Sequence, residues 1–205
     1  MKIYIFVFEI VKTKEHSIII MAIERQIPEQ TNKNLLFEYL VYLLEQWRQQ
    51  IASSYTVCFT KLKLQKILFL VASVNATEDH HPLLDVFDRF YALPYGPVEI
   101  DIYHAMNNNE FSIIHFNGNN CQYDNFDTDS FSSLEPSIKD TMDASLKAIK
   151  EKDVDYITMS PFELVNITHK WTSWQVAMQV AEILGNKKEY MSAKDICNSS
   201  NKAFK

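Results

Sequence analysis

Apolar positions in this chain recur at three- and four-residue steps in several separate stretches, a period that predicts a mainly helical fold. From about Asn32 to Ile51, Leu36, Tyr39, Leu40, Leu43, Leu44 and Trp47 form one stripe. A second helix is expected from Thr60, whose hydroxyl suits an N-cap, with Leu64, Ile67, Leu68 and Val71 on one face. The polar run from Asn75 to Pro82 ends it. Two amphipathic helices with matching stripes are expected to pack on each other.

Phe87, Phe90, Tyr91, Leu93 and Tyr95 follow without a readable period. Gly96-Pro97 then predicts the start of a third helix, because proline at the first helical position loses no useful donor. Glu99 suits the positive end of that helix, and Tyr103 and Met106 are placed on one face with Glu99 and Ile102. Its end is expected in Asn107-Asn108-Asn109. One small β-hairpin is predicted near 111–123, where Asn117-Gly118 supplies the turn. The acidic, serine-rich stretch that follows is expected on the surface.

A fourth helix should run from Pro136 to about Lys152. A fifth opens with Ser160, Pro161 and Glu163, a capping box, and ends near His169. A sixth carries Trp174, Ala177, Met178 and Ala181 and stops at Gly185, and Ser192 is placed as the cap of a last short turn. The expectation is a compact bundle of about six helices with one hairpin. Residues 31–190 form the single domain, 1–30 an extension and 191–205 a tail.

The apolar start, Met1 to Phe8, is broken by Glu9 and followed by Lys12, Lys14 and Glu15, too short for a signal peptide core or a membrane span. Two readings fit it: an extra β-strand, or a translation start that belongs at Met21.

Composition narrows the function. Hydrophobic residues make up 47%, enough for a packed core, while only three glycines argue against a glycine-rich phosphate cradle. A net charge of −6 makes nucleic acid an unlikely partner, since Lys61, Lys63 and Lys66 do not align into a basic face on a helix. Three widely spaced cysteines show neither a disulfide framework nor a zinc motif, which points to the cytoplasm.

Candidate chemistry is sparse. Glu78, Asp79, His80 and His81 with Asp85 are the most metal-like cluster, and the alternative function built on Asp79, His80 and His81 is a metal-dependent hydrolase. The simpler reading is a solvated loop. His169 lacks a nucleophile or metal signature beside it, so a helix-end histidine backed by tryptophan is expected. Cys58, between Val57 and Phe59, is expected to be buried and inert. No catalytic residue, metal or cofactor is assigned.

Several short motifs in order carry a resemblance. Lys63-Leu64-Gln65-Lys66-Ile67-Leu68-Phe69, His81-Pro82-Leu83, Phe90-Tyr91-Ala92, Tyr95-Gly96-Pro97-Val98 with Tyr103, and His169 with Trp174 resemble the Panacea antitoxin domain, of the SocA-like, phage-associated GepA type. The similarity extends from about Asn32 to Leu184. It implies a non-enzymatic module that neutralises a toxin encoded beside it, or hands that toxin to a protease as an adaptor. A phage-associated regulatory protein with another partner is a further alternative. Gln65, Lys66 and Tyr103 either fix a helix junction, with Gln65 bonded to Tyr103, or line a partner groove. Phe87, Arg89, Tyr91 and Tyr95 are the interface candidates, because aromatic and arginine side chains dominate interface centres.

Overall fold

The structure is a computed structural model that describes residues 14–51, 57–123, 126–152 and 155–200, with side chains from Asn32 onward. Helix α1 spans Lys14–Gln50 and therefore starts well ahead of the stripe that predicts it. That stripe governs the packed part, where Leu36, Leu40 and Leu44 are fully buried. The apolar run of residues 1–8 lies outside the described residues, as do residues 201–205.

Helix α2 spans Lys61–Val74, and its expected cap is present: the Thr60 hydroxyl accepts the Lys63 N–H. All residues from Lys63 to Ala72 are buried, so α2 is not the amphipathic surface helix that its sequence suggests. It is the central rod of the fold. The lysines at 63 and 66 look like a polar face in the sequence, but both are drawn inside and bonded to backbone carbonyls.

Around α2 lie α3 (Pro82–Val86), strands β1 (Phe90–Leu93) and β2 (Gly96–Glu99), α4 (Ile100–Asn108) and the hairpin β3 (Ile114–Asn117) with β4 (Asn120–Tyr123). Helices α5 (Pro136–Lys150), α6 (Pro161–Thr168) and α7 (Thr172–Ile183), strand β5 (Glu189–Tyr190) and α8 (Ala193–Cys197) complete the described chain. The fold is mainly α, but eight helices stand among the described residues instead of about six, and the hairpin is not the only β structure. A three-stranded antiparallel sheet, ordered β2-β1-β5, is added to it.

The sheet arises where no period was legible. Leu93 pairs with Gly96 across a two-residue turn, and Phe90 pairs with Glu99. Gly96-Pro97 therefore opens a strand, not a helix. Proline fits because β2 is an edge strand, where a missing donor breaks no ladder. Helix α4 starts three residues later, with the Glu99 carboxylate capping the Ile102 N–H at 2.8 Å. Tyr103 does not share the buried face of Ile102 and Met106; it is 40% exposed, since neighbours on a helix point about 100° apart.

The predicted hairpin is present. Gly118 takes the positive φ of its two-residue turn. Its first strand begins at Ile114 and not Phe111, because the buried Glu38 carboxylate of α1 accepts the N–H groups of Ile113 and Ile114 at 2.6 and 3.1 Å. The Ser160–Glu163 capping box and the Ser192 cap both form. No helix among the described residues is long and apolar enough to cross a membrane.

Candidate functional site

Of the resemblance motifs, Gln65, Lys66, Gly96 and Pro97 meet at the free edge of β2. There the carbonyl of Pro97 and both backbone groups of Glu99 turn away from β1 toward α2. The Lys66 ammonium Nζ donates to the Pro97 carbonyl at 2.6 Å. The Gln65 amide donates to the Glu99 carbonyl at 3.2 Å and accepts the Glu99 N–H at 2.9 Å. Two side chains of α2 thus stand where a further strand would pair, and the edge is closed from inside the protein.

Gly96 is required at this point. Its φ is +92°, and a Cβ there would lie 2.7 Å from Thr168 Oγ1 and 3.1 Å from Lys66 Nζ. Lys66 is fully buried, and burial pushes its pKa down to about 7. Among the described residues no carboxylate pairs with it.

His169 and Trp174 seal the neighbouring side. Their rings stack 3.8 Å apart at 9°, and the Trp174 indole donates to the Leu93 carbonyl at 3.0 Å, fastening α7 to β1. Burial first and Lys66 second hold the His169 pKa below its ordinary value, so the ring is neutral at pH 7. Its Nε2 is buried without a hydrogen-bond partner.

On the far side of Glu99 lies a charged knot that sequence reading missed. Lys33 of α1 donates to Asp88, Glu99 and Asp101 at 2.7, 3.0 and 2.9 Å, and Arg89 reaches Asp101 at 2.5 Å. Burial alone would lower the Lys33 pKa, but Glu99 and the bonds to three carboxylates outweigh it and hold it raised. Burial also raises the Glu99 pKa, against the pull of Lys33. Asp88, Glu99 and Asp101 are the one trio of ligand-type side chains gathered closely among the described residues, and Lys33 occupies their centre. Of the knot's members, Glu99 stands out in the sequence beside the Gly96-Pro97 motif and Arg89 as an interface candidate, whereas Lys33, Asp88 and Asp101 carry no signal.

The Asp79, His80 and His81 cluster does not converge on a metal geometry. His81 bonds the Thr77 carbonyl through Nδ1 and faces Asp85 through Nε2, while Glu78 pairs with Lys194. Gln65 bonds Glu99 and not Tyr103, so the predicted bond between the two is replaced by a side chain-to-backbone one. Leu64 and Phe87 are fully buried in the core and present no surface in the chain alone. Cys58 is exposed, contrary to expectation. What the site can do chemically is limited: its amine is enclosed, its imidazole is half-buried beneath Trp174, and its hydrogen bonds join α2 and α7 to the sheet.

The outer surface differs. Tyr95, at the β1–β2 turn, is 61% exposed and meets Phe162 of α6, 64% exposed, edge to face at 6.3 Å. Tyr91 packs edge-on against Tyr190, with Lys188 above its ring. Val176, Val180 and Ile183 of α7, and Leu184 at its C-cap, also face solvent.

The family model described as antitoxin SocA-like, Panacea domain, matches residues 64–175. Comparison with curated proteins and with solved structures gave no match. The matched span opens at Leu64, one residue before Gln65, and closes one residue after Trp174, so it encloses the whole β2-edge site. It covers more than half of the chain, and the chain belongs to the SocA-like Panacea antitoxin family.

Proposed function

We propose that this protein is an antitoxin that neutralises a cognate toxin, encoded next to it, by direct protein–protein contact in the cytoplasm. The supporting observation is a division of labour. The motif residues Gln65, Lys66, Gly96 and His169 are spent on internal bonds and close approaches, while large apolar side chains stand on the surface around them. Exposed aromatic pairs such as Tyr95 and Phe162 are what a partner buries at the centre of an interface. Tyr91, on the central strand β1, and Arg89 just before it extend the same reading across the sheet. No cofactor is required.

The test is co-expression. The neighbouring reading frame is induced in a bacterial host with and without this protein, growth is followed, and the complex is pulled down. Relief of toxicity with a stable complex is the expected result. Relief that disappears when the host's proteases are deleted replaces masking by handover of the toxin as an adaptor. A toxic neighbour that this protein neither binds nor relieves overturns the reading.

A further inference from the structure

We propose that the groove between α7 and the segment Glu189–Ser199 receives a short amphipathic helix of the partner, with two apolar side chains one turn apart and a lysine or arginine beside them. The proposal rests on the toxin-binding reading and names the segment chemistry by which the toxin is held.

The groove holds about 420 Å³. Val176 and Val180 form its α7 wall, with Ala177 and Met191 buried beneath, and four-residue spacing makes the two valines one stripe. The stripe continues to Ile183, 83% exposed, roughly 10 Å along the helix axis. An exposed apolar row of that length matches a partner helix that anchors residues one turn apart. The rim decides the charge of the occupant. Glu189 and Asp195 border the groove, no lysine, arginine or histidine lines it, and neither carboxylate is in an ion pair among the described residues. An anionic membrane surface or a nucleic acid would be repelled there, whereas a cationic side chain beside an apolar anchor is attracted. In the wall itself, the Ser173 hydroxyl is buried without a hydrogen-bond partner, a polar group left for the ligand to satisfy.

Binding of the purified neighbouring toxin to the full chain tests this, with the melting temperature of each variant as a control for folding. Val176→Asp/Val180→Asp should weaken binding at least about 30-fold, as expected for loss of an interface anchor. Glu189→Lys should weaken it about tenfold at low salt and less at high salt, the signature of a rim charge. A toxin lysine or arginine changed to glutamate should restore binding to Glu189→Lys and not to the wild type. If the wild type binds no toxin, the antitoxin reading fails and takes this one with it. If the wild type binds and both groove variants bind equally well, this inference alone is overturned. Variants that instead abolish self-association and leave toxin affinity unchanged would assign the groove to a second copy of the chain, which also overturns it.

Discussion

Gln65 and Glu99 exchange two hydrogen bonds, the side-chain amide of one with the backbone N–H and carbonyl of the other. A side chain on the central helix thereby behaves as the missing neighbour of an edge strand. With Lys66 on Pro97, it fixes α2 against β2 and leaves no buried backbone polar group of Pro97 or Glu99 open.

Removing that amide should be costly. Gln65→Leu leaves a buried N–H and a buried carbonyl of Glu99 without partners, and the expected loss is about 2–4 kcal/mol. Urea denaturation measures it. A loss below about 1 kcal/mol would mean that the edge is not held by Gln65.

Gly96→Ala should destabilise by about 2 kcal/mol or more, from the positive φ and the 2.7 Å approach to Thr168. Adding Thr168→Ala should recover part of that, since the closest clash is with its hydroxyl. A double-mutant cycle that closes to additivity would remove Thr168 from the cost and leave it to the backbone and Lys66.

Lys66 gives a pH dependence of known sign. Its folded pKa, about 7, lies below its ordinary 10.5, so the unfolded chain holds the extra proton between those values. Stability should therefore rise as pH goes from about 7 toward 10.5, and this part of the rise should vanish in Lys66→Met. His169, also depressed, adds a rise of the same sign below pH 6.5. Thermal melts across pH 6–10 on both proteins, at about constant ionic strength, separate the two. Parallel curves would contradict a buried, unpaired ammonium.

Lys33→Met should cost about 3–5 kcal/mol at pH 7, because Glu99 stays buried without its cation. Burial holds the Glu99 pKa above its ordinary 4.5, and loss of Lys33 raises it further. In the variant, stability falls as pH rises from 4.5 through the folded value, so the penalty is smallest in mild acid. Melts of wild type and variant at pH 5 and pH 7 check it; an equal difference at both would rule out the charge account.

What was legible in the sequence was local. Thr60, Ser160 and Ser192 announce caps within three residues, and Asn117-Gly118 announces a turn within four. The resemblance names residues whose partners are remote in the chain and so could not be read beside them. Gly96-Pro97 suits a helix start as well as an edge strand; pairing with β1 on one side and the distant Gln65 and Lys66 on the other decide for the strand. Buried lysines at 63 and 66 are invisible to hydrophobic patterning, since their carbonyl partners at 157 and 97 are remote in sequence. Lys33 escaped for the same reason. Tyr95 was identified as a surface candidate, but Phe162 beside it was hidden within the α6 pattern.

The surface pair separates contact from stability. Tyr95→Ala/Phe162→Ala should change stability by about 1 kcal/mol or less, since both rings are mostly exposed. The most direct measurement is equilibrium binding of this double variant and of the wild type to the purified neighbouring toxin. A wild-type complex with a dissociation constant of about 1 µM or tighter is expected, with at least about tenfold weaker binding for the folded variant. Wild-type protein that fails to bind a toxin whose growth defect it relieves would contradict neutralisation by direct contact.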